Sequence, residues 1–88
     1  MAQHASAFKR HRQSEKRRAR NRGIKTELRH IVRSVRASLE KKDPKDAAAT
    51  LATASRALAK AATKGVIHRN AAARKIARLS RAVHGLTS

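Results

Sequence analysis

The apolar side chains Ile24, Leu28, Ile31, Val32, Val35 and Leu39 recur at helical spacing and form one stripe, whereas the residues before them form none. Between Phe8 and Ile24 the only apolar side chain is Ala19. A second stripe, Ala47, Leu51, Ala54, Leu58 and Ala62, is narrow and built from small and medium residues that allow close helix approach. A third, Ala72, Ile76, Leu79, Val83 and Leu86, steps by four, three, four and three. Nothing alternates with period two over a useful length, so no strand is expected.

The punctuation agrees with three helices, over about 5–41, 44–63 and 68–84. Pro44, Gly65 and Gly85 stand where helices should end, and only Gly23 interrupts a pattern. Asp43 before Pro44 reads as an N-cap with a first-turn proline, and Asp46 adds negative charge near the positive end of that helix. Lys64 and Gly65 supply a C-terminal charge and a left-handed stop. Val66 and Ile67, just before the third helix, are placed to close the end of the core. Short turns make neighbouring helices antiparallel. The expected fold is all-α, an antiparallel three-helix bundle in a single domain, 1–88. A first helix of about 36 residues is roughly 54 Å long against roughly 30 Å for its partners, so its N-terminal part overhangs them. Like charges four apart, such as Arg18 and Arg22, oppose helix there, so order in this arm is expected to depend on a partner.

Charge turns this outline into a functional reading. The 88 residues hold 23 Lys and Arg against 5 Asp and Glu, a net +18. Met1 to Arg33 carries 11 basic residues against Glu15 and Glu27. Ser34 to Thr63 carries 6 against Glu40, Asp43 and Asp46, and Lys64 to Ser88 carries 6 with no acid. Two basic ends flank a milder middle, which should touch a partner least. A chain so charged repels itself until an anion neutralises it.

Other classes lose ground on composition. Without cysteine there is neither a disulfide nor a thiolate metal site. The histidines His4, His11, His30, His68 and His84 contain no pair at i and i+4, so no metal and no cofactor is expected. No Gly-rich phosphate loop and no nucleophile with a base and orienter appears, so the chain reads as no enzyme, with no small-molecule substrate. No apolar run approaches the ~20 residues of a membrane span and none follows the basic N-terminus as in a secretory signal, which predicts a soluble protein that is not exported. Phe8 is the only ring outside histidine, so base stacking on aromatic platforms is not expected, which disfavours single-strand recognition. What remains is phosphate binding. Lys9, Arg10, Arg12, Lys16, Arg17, Arg18, Arg20 and Arg22 surround the overhanging rod, which suits insertion between several phosphate backbones. Charge alone leaves structured RNA and duplex DNA both open.

Two stretches go further. SAFKRHRQSEKRRARN, and KGVIHRNAAARKIARL from Lys64 to Leu79, in this order on a chain of this length, closely resemble small-subunit ribosomal protein number twenty of bacteria. The resemblance covers the whole chain and the second motif is the more specific. It implies a three-helix bundle with a long first helix, cytoplasmic and within the small ribosomal subunit. It also implies direct binding of 16S ribosomal RNA, beside other small-subunit components, during early assembly. Carried over by position, Lys9, Arg10, Arg12, Lys16, Arg18 and Asn21 in the first motif face RNA. So do Lys64, His68, Arg69, Asn70, Arg74, Lys75 and Arg78 in the second. Charge and position add Arg17, Arg20, Arg22, Lys25 and Arg29. His68 and Asn70 have a second expected role in capping the third helix. Phe8 stands where the family more often has a polar or basic residue, and Ile76 where a further lysine is common. The alternative reading is a nucleoid-associated, histone-like DNA-binding protein, and a cationic membrane peptide is more distant, because the arm has too little apolar surface to insert.

Overall fold

The computed structural model describes the backbone of residues 2–87 and the side chains of residues 7–86. Met1 and Ser88, the ends of the expected domain, and the side chain of His4 lie outside the described residues. Three helices make up the chain: α1 (Ala2–Glu40), α2 (Pro44–Thr63) and α3 (Arg69–Thr87). The first 14 described side chains, Ala7 to Arg20, are all exposed. α1, with 39 residues, is about 58 Å long. It accounts for most of the 66 Å length of the molecule, whose other extents are 21 and 13 Å. The arm is helical in its backbone, and Ala, Gln, Glu, Lys and Arg, which make up most of it, are good helix formers, a preference that the like charges four apart oppose.

Direction follows from who meets whom. Ile24 and Leu28 of α1 share a groove with Ala57, Ala61 and the residue that ends α2, Lys64. Ser38, near the end of α1, reaches Asp46 and Thr50 in the first turns of α2. These two helices are therefore antiparallel. α3 comes back parallel to α1, because Lys25, Leu28 and Arg29 flank Ile67, Ala71 and Lys75 while Val32 and Arg36 flank Lys75, Arg78 and Leu79. α2 lies closely against both neighbours, and α1 and α3 approach each other much less. The reason lies in side-chain size. Ala47, Ala54 and Ala61 of α2 are buried with almost no exposure and let its backbone come near, whereas the α1 and α3 faces carry Leu and Val.

The core comprises Leu28, Val32 and Val35 of α1, the three alanines and Leu58 of α2, Val66 of the second turn, and Ala72, Leu79 and Val83 of α3. Ile24, Ile31, Leu39, Leu51, Ala57, Ala62, Ile67, Ile76 and Leu86 complete it as partly buried members. Within α2, Ala61 is buried more deeply than Ala62, a shift of one position along the stripe. Ser38 is also buried, at 1% exposure, on a face that otherwise reads as apolar. Its hydroxyl donates to the Asp46 carboxylate, and Thr50 Oγ1 lies 3.4 Å from it. Asp46 thus bridges α2 to α1 besides standing at the positive end of its own helix.

Both turns are of one kind. Two residues past the end of α1 stands Lys42 at φ 56°, whose N–H donates to Leu39 O while that of Asp43 donates to Ser38 O. Two residues past the end of α2 stands Gly65 at φ 78°, whose N–H donates to Ala62 O while that of the buried Val66 donates to Ala61 O. This pairing satisfies the last carbonyls of each helix and requires a left-handed residue. Asp43 then caps α2, accepting from the backbone N–H groups of Lys45 and Asp46. The expected stop at Gly85 does not occur. α3 continues to Thr87, because Gly85 is not left-handed and Leu86 still packs on the core.

The two left-handed positions make a paired prediction. Lys42→Gly removes a strained side-chain-bearing residue and should stabilise the bundle by about 0.5–1 kcal/mol. Gly65→Ala should destabilise it by about 1–2 kcal/mol. No atom lies within 4 Å of the added Cβ, so the cost is one of backbone strain and not of collision. Urea unfolding with an unchanged slope measures both, and either sign reversed refutes the turn assignment.

Candidate nucleic-acid interface

Helical geometry explains why the arm is basic all round. Arg10 precedes Leu28 by 18 residues, about five whole turns, and Arg17 precedes Val35 by the same interval. Within the bundle that face meets α2 and α3. On the arm it meets nothing, and arginine replaces leucine and valine. Lys9, Arg12, Lys16 and Arg20 occupy a neighbouring face and Arg18 and Arg22 the opposite one. These six cations, together with Arg10 and Arg17, are exposed. Among the described residues the ion pair on the arm joins His11 Nε2 to Glu15 Oε1 at 3.1 Å, and none of those arm cations is neutralised by a carboxylate.

The Arg18 and Arg22 face does not stop where the bundle begins. Lys25, Arg29 and Arg36 continue it at spacings of three, four and seven, along roughly 27 Å of helix. There it becomes one wall of the groove between α1 and α3. Lys25 and Arg29 face Lys75 across Leu28, Leu58, Ile67 and Ala71, and Arg36 faces Lys75 and Arg78 across Val32 and Leu79. The floor is apolar, the rims are cationic, and none of the lining residues is acidic. The groove on the other side of α1 differs. Glu27 sits there beside Lys60 and Lys64, and farther along only Ile31, Ser34, Ala49, Thr50 and Thr53 line it. One side of the bundle continues the positive arm, and the other is mixed or uncharged.

Most residues singled out by charge and motif fall on the arm or in this groove. Arg10, Arg12, Lys9, Lys16, Arg17, Arg18, Arg20 and Arg22 lie on the arm, Lys25, Arg29, Lys75 and Arg78 in the groove. Arg69 is exposed at the start of α3, in the same end of the bundle as Lys25. Lys64 stands apart, on the α1/α2 side beside Glu27. Arg74 belongs to the outer face of α3, with Arg78 and Arg81. Asn21 is half-buried at the root of the arm, and its Oδ1 is buried with no hydrogen-bond partner. His68 caps α3: its Nδ1 accepts from the Asn70 backbone N–H at 3.1 Å, and its carbonyl accepts from Ala72. An imidazole that accepts at Nδ1 carries its proton on Nε2, leaving a donor on an exposed ring. Asn70 joins the cap through its backbone, and its side chain remains exposed. Ile76 is a partly buried member of the core, not a surface contact.

The structure adds Arg36 and Arg81 to the set. Their sequence signals are present: Arg36 follows Arg29 by seven residues, and Arg74, Arg78 and Arg81 step by four and three. Their value as a surface emerges only once α3 lies beside α1.

Fold and charge together define a cationic three-helix bundle with an exposed basic track along its first and third helices. The chain belongs to the ribosomal protein S20 family, whose family model matches residues 2–84. It is 51% identical over 84 residues to small ribosomal subunit protein bS20 of Nitratidesulfovibrio vulgaris (strain DP4), covering 96% of this chain and 97% of that protein. It is 52% identical to the bS20 of Oleidesulfovibrio alaskensis, covering 98% and 99%, and 50% identical to that of Anaeromyxobacter dehalogenans (strain 2CP-C), covering 93% and 89%. A member of this family is a structural component of the ribosome and not an enzyme.

Proposed function

We propose that this chain binds 16S ribosomal RNA directly, in the small subunit, and aids its folding by lowering the repulsion between RNA segments brought together. The arm and the α1/α3 groove carry the contacts, chiefly to phosphates. Lys9, Arg10, Arg12, Lys16, Arg17, Arg18, Arg20 and Arg22 act on the arm. Lys25, Arg29, Arg36, Lys75 and Arg78 act in the groove, with Arg69 and the exposed side of His68 at its mouth. The observation that carries this reading is the continuity of one cationic face, free of acid from Arg18 on the arm to Arg36 in the bundle. Phosphate contacts fix position and neutralise charge, and shape decides which RNA can offer phosphates to both parts at once. Lys64, Arg74, Arg81 and Asn70 lie off the track and have a smaller share. Family membership favours RNA over the duplex DNA that charge alone would equally attract.

Competition at matched salt tests this. A folded 16S ribosomal RNA fragment should displace the protein from duplex DNA of equal phosphate content with an advantage of roughly 10³, the usual scale separating a specific site from non-specific background. Equal affinities would favour a histone-like DNA binder instead.

A further inference from the structure

Phe8 is 67% exposed, the one large hydrophobic side chain standing open among the described residues. Isolated exposed apolar side chains are ordinary on globular surfaces. This one is different in its setting, for it lies about 24 Å along the helix from Ile24, the first apolar residue packed on the core, on a rod that touches no other element. It can contribute nothing to folding.

Its neighbours define what it could meet. Phe8, Arg12, Lys16 and Arg20 follow one another at four-residue intervals and so form a single ridge along the arm. Their rise is about 6 Å per step. Three cations in a row hold a phosphate backbone, and the ring continues that row at its outer end. Lys9 stands next to it in sequence, and Arg12 stands four residues on, on the same face. A ligand that satisfies both the row and the ring must join anionic groups to flat apolar faces at regular intervals. A nucleic acid strand with an unpaired base does so. A bilayer would need a broader apolar face than one ring among cations.

We propose that Phe8 is a nucleobase-stacking site: when Arg12, Lys16 and Arg20 track a phosphate backbone, the ring receives an unpaired base of the same strand. The site rests on the RNA-binding reading above and adds to it a preference that phosphate contacts lack. Composition provides no series of stacking platforms, and the structure leaves this single ring free to act alone.

The chain contains no Trp or Tyr, so Phe8→Trp in the full-length protein creates a lone fluorescent reporter. Two RNA hairpins of equal phosphate number serve as probes, one fully paired and one with an internal loop of unpaired adenines. The looped hairpin should quench the Phe8→Trp variant strongly and the paired one weakly. Phe8→Leu keeps apolar bulk but removes the aromatic face, and should weaken binding to the looped hairpin by roughly 5- to 100-fold while leaving the paired one unchanged. Equal affinity of wild type and Phe8→Leu for both hairpins would overturn the stacking site with RNA binding intact. Failure of the wild type to bind either hairpin would defeat the RNA reading and the stacking site together. A blue-shifted emission on anionic phosphatidylglycerol vesicles, without quenching by the looped RNA, would assign the ring to lipid and overturn the proposal.

Discussion

Replacing Arg10, Arg12, Lys16 and Arg18 together by alanine should lower affinity for 16S ribosomal RNA by roughly three to four orders of magnitude at 0.1 M monovalent salt. The thermal midpoint of the bundle should hardly move. The magnitude follows from counterion release. Each phosphate neutralised contributes about 0.7 to 0.9 to the log–log salt slope, so four lost contacts lower it by about 3 to 4. A wild type that neutralises about ten phosphates has a slope of roughly −7 to −9, and the variant one of about −4 to −5. The thermal result follows from burial, because all four side chains are exposed and lie outside the hydrophobic core. Titrations at several salt concentrations, beside thermal melts followed by circular dichroism, measure both. An unchanged salt slope would mean that the arm does not touch phosphate. A matching loss of midpoint would mean that the arm supports the bundle.

Such a separation of roles along one helix is legible in the residue order itself, and its cause is simple. Apolar residues begin at Ile24, and a helix without an apolar stripe has nothing to pack on. The boundaries of α2 are equally plain, because Asp43 with Pro44 and Gly65 act through local backbone chemistry that needs no knowledge of the rest. Three other features depend on distance in space and are not legible. Ser38 breaks the apolar stripe of α1 and becomes intelligible only with Asp46 and Thr50 beside it. Lys42 adopts a left-handed conformation that favours glycine, and its residue type does not announce it. At Gly85 the residue type suggests a stop, but the helix tolerates glycine at modest cost while Leu86 gains by packing.

The interface divides in the same way. Charge places the arm residues on a free surface, since nothing in the chain can cover them. It does not say that Lys75 and Arg78 face Lys25, Arg29 and Arg36. That pairing requires α2 to be the inner helix, and α2 is inner because its alanines allow close approach on both sides. A composition dominated by alanine thus has an electrostatic consequence. The helix poorest in cations takes up the close contacts, and the two cationic helices are left to form an open groove.

Leu58→Ala should remove roughly 2–5 kcal/mol of stability, the usual cost of truncating a buried leucine. Leu58 is 1% exposed, sits on the inner helix and forms part of the floor between α1 and α3. A chain of this length typically holds on the order of 4–13 kcal/mol, and here the arm adds no core to that figure. A substantial fraction of the variant should therefore be unfolded at about 37 °C, with loss of helical circular dichroism and an earlier, concentration-independent melt. RNA should reverse this, because a ligand that binds only the folded form stabilises it by about 4 kcal/mol at roughly a thousandfold excess over its dissociation constant. The expected sequence is loss of helix in the free variant and recovery as 16S ribosomal RNA is added, with the salt slope unchanged because every arm cation is still present. The arm variant should do the reverse, remaining folded and failing to bind. If Leu58→Ala melts like the wild type, the inner-helix packing is wrong. If its helix does not return in excess RNA, binding is not coupled to the folded bundle, and the groove between α1 and α3 has no part in it.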